Sequence, residues 1–148
     1  MQDEGEAGAG AVEPLPIAPT QNREALDVMG ARAPSFTLAF MRSLPDCVEL
    51  VNPAGRLTFM NENGRMAMEI DGFDRLRGTD WVDLWPEESR PLARNALDRA
   101  LEGEAVRMTA VRPTAKGAVK VWDVKVSPVS NATGDVETIL SVSRETAG

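Results

Sequence analysis

Apolar and polar residues alternate most regularly between Glu104 and Arg144. Trp122, Val124, Val126 and Pro128 share one parity, while Asp123, Lys125 and Ser127 hold the other. A two-residue period, rich in β-branched residues and bounded by turn residues, predicts strands. Strands are expected over Glu104–Arg112, Val119–Val129 and Val136–Arg144, with turns at Pro113-Thr114-Ala115 and Gly134-Asp135. A shorter hairpin is expected earlier. Val48 and Leu50 alternate with Cys47 and Glu49, Asn52-Pro53-Ala54-Gly55 makes a turn, and Leu57 and Phe59 alternate with Thr58 and Met60.

Helical spacing fills the gaps. Ser35 can cap a helix running to Leu44 with Phe36, Leu38, Phe40 and Met41 as its apolar positions, stopped by Pro45. Asn61 caps a second helix carrying Met66, Met68 and Ile70, which Asp71-Gly72 breaks. A loop and short helix hold Trp81, Leu84 and Trp85. The clearest helix lies between Pro86 and Gly103. Leu92, Ala93, Ala96, Leu97, Ala100 and Leu101 form one face, and Gly103 stands where a helix stops. Residues 1–34 read as an acidic, proline-punctuated tail with a short helix over Asn22–Gly30; residues 35–146 read as the domain. The order is strand-strand, helices, then three strands. It predicts an α+β fold, one antiparallel sheet covered on one face by short helices.

Composition narrows the function. A net charge of −7 disfavours a nucleic-acid or anionic-membrane surface, because both need clustered Lys and Arg. No apolar run approaches the roughly 20 residues that span a bilayer, and the acidic start carries no apolar segment of the secretory kind. The single cysteine, Cys47, points to a reducing, cytoplasmic location. The chain has no His. That removes Ser-His and Cys-His catalytic pairs, His-bound metal and a phospho-accepting His within these residues. No carboxylate pair is placed for acid/base work, and a non-enzymatic chain is expected.

Several phrases resemble the PAS domain, the sensor module attached to bacterial sensor histidine kinases. Leu44-Pro45-Asp46 resembles the family's start, Asn52-Pro53-Ala54-Gly55-Arg56 its first hairpin turn, and Phe59-Met60-Asn61 the lead into its first helix. Gly78–Pro86 and Arg112–Val129 are similar in the same way. The resemblance covers about Leu44 to Thr146. It implies five antiparallel strands in the order 2-1-5-4-3, with a flanking N-terminal helix over residues 35–44. It also implies a sensory or protein-interaction role in bacterial signal transduction of the two-component type, with a histidine kinase as partner in cis or in trans. A change at the ligand or partner would leave through the last strand, which here ends Ser143-Arg144-Glu145-Thr146, without the family's apolar residue. A ligand-free dimerisation module is the alternative, and an FAD-binding redox sensor another.

A ligand would sit between sheet and helices. The candidate lining is Met68, Phe73, Trp81 and Leu84 from the helical side, and Met108, Ala110, Arg112, Trp122, Val124 and Leu140 from the sheet. The bland reading of the same residues is a filled core. Arg112 and Lys116 could receive an anionic group, or simply flank a solvated hairpin tip. Light-sensing PAS domains carry a Cys in an Asn-Cys-Arg phrase where this chain has Asp80-Trp81-Val82, so no flavin adduct is expected. No cofactor and no metal are expected, with FAD as the alternative. A homodimer is expected through the helix bearing Phe36, Leu38, Phe40 and Met41, since these spread over more than one face.

Overall fold

The periodicities above settle into a sheet with helices on one side. The computed structural model describes residues 11–16 and 30–146; the expected helix over Asn22–Gly30 lies almost wholly outside them. Among the described residues six strands form: β1 (Glu13–Pro14), β2 (Cys47–Val51), β3 (Leu57–Met60), β4 (Val106–Val111), β5 (Val121–Ser130) and β6 (Val136–Glu145). Within the same described residues lie α1 (Ala33–Ser43), α2 (Glu62–Ala67) and α3 (Arg90–Leu101). Single 3-10 turns lie at Gly30–Arg32, Val82–Leu84 and Glu87–Ser89.

The sheet order is β1-β4-β5-β6-β2-β3, and every pairing is antiparallel. Without β1 this is the five-strand order the resemblance implies. β1 is the addition. Its residues were expected within the tail, and they lie on the edge of β4 instead, with Glu13 opposite Arg107 and Pro14 opposite Val106.

Local chemistry fixes the connections. Asn52 Oδ1 accepts from the backbone N–H groups of Ala54 and Arg56, and Gly55 takes φ +85°, which closes the β2–β3 turn. Asn61 is the N-cap of α2, accepting from Gly64 N at 3.0 Å. Gly103 follows α3 with φ +100°, in the left-handed region that favours glycine. The Asn131 side chain accepts from Thr133 N and Asp135 N and shapes the β5–β6 turn.

Two helix details differ from expectation. Ser35 is not the cap of α1. The helix begins at Ala33 with Pro34 in its first turn, where a fixed φ and a missing N–H cost nothing. α2 stops at Ala67, so Met66 faces solvent and only Met68 of the expected face is buried.

The core lies between the helices and the inner face of the sheet. Trp81, Trp85, Trp122, Leu97 and Val124 are each within 1% of full burial. Val106, Met108 and Ala110 of β4 and Trp122, Val124 and Val126 of β5 point inward at strict alternation. Ala93, Ala96, Leu97 and Ala100 are the buried face of α3, as its spacing predicts.

Candidate functional site

β2 and β6 carry polar residues toward the core. The inward parity of β2 is Cys47, Glu49 and Val51; that of β6 is Ile139, Ser141 and Ser143. Register places Cys47 opposite Ser143, Glu49 opposite Ser141 and Val51 opposite Ile139. The apolar Leu50, Leu140 and Val142 lie on the outer face and are only half-buried. Leu140, expected among the lining residues, lies on the outer face, and Ile139 is the β6 residue that points into the core.

Glu49 is fully buried. Its Oε1 accepts from the Trp81 indole N–H at 3.1 Å, and its Oε2 lies 3.5 Å from Arg112 Nη1. Arg112 is itself 4% exposed, and its guanidinium lies over the Trp85 ring, 5.1 Å from the centroid. Trp85 in turn meets Trp81 edge to face at 5.7 Å. Carboxylate, guanidinium and two indoles thus close a ring of contacts inside the fold, and the two buried charges face each other. The Arg112 side chain is therefore not part of a solvated hairpin tip. Lys116, two residues past the buried Thr114, does stay exposed.

Three polar atoms beside this cluster are buried without a hydrogen-bond partner among the described residues: Trp85 Nε1, Ser141 Oγ and Ser143 Oγ. The Cys47 thiol lies in the same stripe. Burial chiefly, then the nearby Glu49 carboxylate, hold its pKa well above the ordinary value of 9.0, so it stays a neutral thiol.

The cluster is anchored from both ends of the domain. Trp122 Nε1 donates to the Arg112 carbonyl at 2.9 Å, which ties β5 to the segment after β4. Thr114 Oγ1 donates to Glu69 Oε1 at 2.6 Å, and Ala115 N donates to Met68 O. Glu69 takes φ +58°, a costly conformation for a residue with a Cβ, and these contacts hold it there. On the other side Asn61 Oδ1 accepts from Val48 N at 2.8 Å and Asn61 Nδ2 donates to Asp46 O. Asp46 receives both Nε and Nη2 of Arg144 at 3.0 and 3.2 Å. The start of β2 and the end of β6 are thereby clamped side by side.

The candidate lining divides three ways. Met68, Trp81, Met108, Ala110, Trp122 and Val124 are all in the packed core, and Arg112 joins them through Glu49. Leu84 is half-buried against that core. Phe73 is half-buried too, under Arg77, but it also lines an outer groove of about 400 Å³ with Leu38, Met41 and Phe59. The buried polar cluster also contains Glu49, Ser141 and Ser143, which the sequence pattern does not single out, and Trp85, which the sequence offers only as a possible flavin-stacking ring. A glutamate inside an apolar strand and serines alternating with Ile139 were the available signals.

No curated protein matches the chain by sequence. Among solved structures, an RNA-binding Light-Oxygen-Voltage receptor aligns with TM-score 0.70 and 16% identity, over 94% of this chain and 39% of the receptor. The chain thus spans well under half of that protein. The PAS domain of a protein from Colwellia psychrerythraea aligns with TM-score 0.64 and 12% identity, over 80% of this chain and 97% of that domain. The PAS domain of the fruit-fly ELK potassium channel gives TM-score 0.63 and 11% identity, over 77% and 97%. These identities speak for the fold alone. The model of the PAS fold family matches residues 41–147, the span from the end of α1 through β6, and the chain belongs to that family.

Proposed function

We propose that this PAS domain is a non-enzymatic sensory module whose interior receives a small polar ligand, and that β6 carries the response. The observation behind the reading is the set of orphaned polar atoms, Trp85 Nε1, Ser141 Oγ and Ser143 Oγ, next to the Glu49–Arg112 pair. A buried polar group without a partner costs about 1–3 kcal/mol. A small molecule that supplies both an acceptor and a donor recovers that cost and binds by doing so. Ser141 and Ser143 lie on β6 itself, whose end is held by the Asp46–Arg144 pair. Ligand contact and exit strand are one element. We read the domain as a module of bacterial two-component signalling with a histidine kinase as partner, a reading supported by its likeness to sensor-kinase PAS domains; its single cysteine supports a reducing compartment.

The residues present argue against a flavin. Trp81, Trp85 and Trp122 occupy the interval between sheet and helices with at most 1% exposure, and Trp81 and Trp85 are in contact. A three-ring system has to displace them. Freshly purified protein is expected to be colourless, and stoichiometric flavin absorbance after dialysis would overturn this part of the reading.

The test of the main reading is Ser141→Ala with Ser143→Ala. Wild-type protein is screened by thermal shift against small polar acids, amides and alcohols. In a sensor the double variant loses the ligand-induced shift while its unliganded stability holds or rises. If no compound in those classes shifts the wild type, and non-denaturing mass spectrometry finds no bound mass, the reading fails.

A second reading, pairing of two copies through α1, has its own observation. Phe36, Leu38 and Phe40 are each 51% exposed, and the Phe36 and Phe40 rings stack at 6.2 Å. They adjoin the groove lined by Leu38, Met41, Phe59 and Phe73. Sedimentation of wild type against Phe36→Glu/Phe40→Glu tests it; a wild-type monomer at high micromolar concentration sinks it.

A further inference from the structure

The free edge of a sheet is a template for another strand, since its backbone N–H and C=O groups are unpaired on one side. β4 has such an edge, and residues 12–15 lie along it. Beyond the pairing of Glu13 with Arg107 and Pro14 with Val106, Leu15 N donates to Ala105 O at 2.9 Å. Arg99 of α3 reaches across and donates from Nη1 to Val12 O at 3.0 Å, while its Nε and Nη2 grip Glu104 at 2.8 Å each. Val12 packs against the core and Leu15 is half-buried. Glu13 lies opposite Arg107, which is forked onto Asp123 at 2.8 and 2.9 Å and still feels the Glu13 charge, and Arg99 stands beside the same ladder.

This strap is built to be removable. Its ladder is two residues long, far short of the length that gives a strand independent stability. Pro14 and Pro16 lack an N–H, so the segment cannot extend the pairing or offer a good edge of its own. Elements with few buried contacts are the ones that open at low free energy. By contrast the segment's partners belong to well-anchored elements: Arg99 to α3, whose Ala93, Ala96, Leu97 and Ala100 are buried, and the β4 backbone to a strand paired with β5 over six residues.

We infer that the β4 edge is a docking site for an extended segment of a partner protein with an apolar–acidic–proline–apolar pattern, and that Val12-Glu13-Pro14-Leu15 occupies it in cis as a competitor. Recognition is by strand addition, with main-chain bonds to β4 giving affinity, Arg99 holding the carbonyl before the acidic residue, and Arg107 standing opposite that residue as a nearby positive charge. A tethered competitor acts at about millimolar effective concentration, so the partner segment binds weakly until the strap lifts. The site lies at the opposite edge of the sheet from β3, separate from the groove beside α1.

The full chain tests this. Val12→Asp/Leu15→Asp places charge on the two half-buried strap positions and leaves β4 and α3 intact. Hydrogen exchange is followed over residues 104–111, and a labelled peptide of residues 10–18 is titrated into wild type and variant. Exchange over 104–111 is expected to quicken in the variant, and the peptide to bind it at least about ten-fold more tightly than wild type. A peptide with Glu13→Lys should bind the variant several-fold more weakly than the parent peptide. If the double variant loses its near-ultraviolet tryptophan signal, the full chain carrying Glu13→Lys replaces it with the same readouts. Unchanged exchange, equal peptide affinity for wild type and variant, or indifference to the peptide's charge reversal overturns the proposal.

Discussion

Replacing Glu49 by methionine strands a guanidinium inside the fold. Arg112 Nη1 lies 3.5 Å from Glu49 Oε2, with side-chain exposures of 5% and 0%. At an effective dielectric constant near 20, unit charges at that separation attract by about 5 kcal/mol. Desolvating each ion costs several kcal/mol, so the intact pair comes out near neutral against an apolar pair of similar volume. Either single change removes the attraction and keeps one desolvation cost. Glu49→Met also takes the acceptor from Trp81 Nε1, and Arg112→Met takes the cation from the Trp85 face. Each single variant should therefore lose about 3–5 kcal/mol. The double variant should lose much less than the two together, leaving a coupling of about 2 kcal/mol or more between contacting residues. Urea unfolding followed by tryptophan fluorescence measures all four corners of this cycle, with the slope checked for constancy. Additive losses, with a coupling under about 0.5 kcal/mol, would refute the reasoning, because that is how distant or solvated residues behave.

Trp122→Ala should cost about 3–5 kcal/mol, the range for emptying a large buried site, and the Arg112 carbonyl loses its donor as well; a loss under about 1 kcal/mol in the same unfolding assay would show that the ring packs loosely. Gly64→Ala puts a Cβ 2.6 Å from Asn61 Oδ1 and 2.8 Å from Cys47 Sγ, so despite alanine's better helix propensity the variant should melt lower, by about 1–3 kcal/mol; a raised melting temperature contradicts it. The Cys47 thiol is held neutral by burial, while in the unfolded chain it ionises near its ordinary value of 9.0. Its folded pKa is the higher one, so its contribution is complete below about 9.0 and is lost as pH rises from there through the folded value, by at most about 1.4 kcal/mol per pH unit. Cys47→Ala should flatten that decline in a series from neutral to strongly alkaline pH, and an unchanged slope refutes the assignment.

Most of the sheet was legible because β4 and β5 obey the simplest rule, apolar inward and polar outward, over Val106–Ala110 and Trp122–Val126. α3 was legible for the same reason, with a glycine to mark its end. β6 was found as a strand but read with the wrong parity. Its apolar residues Leu140 and Val142 lie outward, and Ser141 and Ser143 lie inward, so the hydrophobic pattern names the wrong face. β2 misleads likewise, with Glu49 inward and Leu50 outward. The polar centre of the candidate site was illegible for that reason: it consists of the residues that break the pattern. Sequences tend to break local rules at functional or strained places. β1 was illegible for another reason. Nothing in Glu13-Pro14 favours a strand, and only the edge of β4, set by residues far along the chain, makes it one.

The inverted parity of β6 bears on how the chain reaches its native state. Sliding β6 by one residue along β5 would turn Leu140 and Val142 inward and Ser141 and Ser143 outward, the choice hydrophobic burial alone prefers. Native registration must then be imposed by contacts indifferent to burial. Those are the Asn131-Thr133-Asp135 turn at one end, the Thr138 hydroxyl on Val51 O, and the Arg144–Asp46 fork at the other end. Folding is therefore sensitive to sequence of events. If the turn closes first, the hairpin zips in its proper alignment; if collapse comes first, a misaligned strand is a competing trap with a well-buried face. Asn131→Ala, which removes the turn's acceptor, is therefore expected to lower refolding yield with little change in equilibrium stability; an unchanged yield after dilution from urea would refute this.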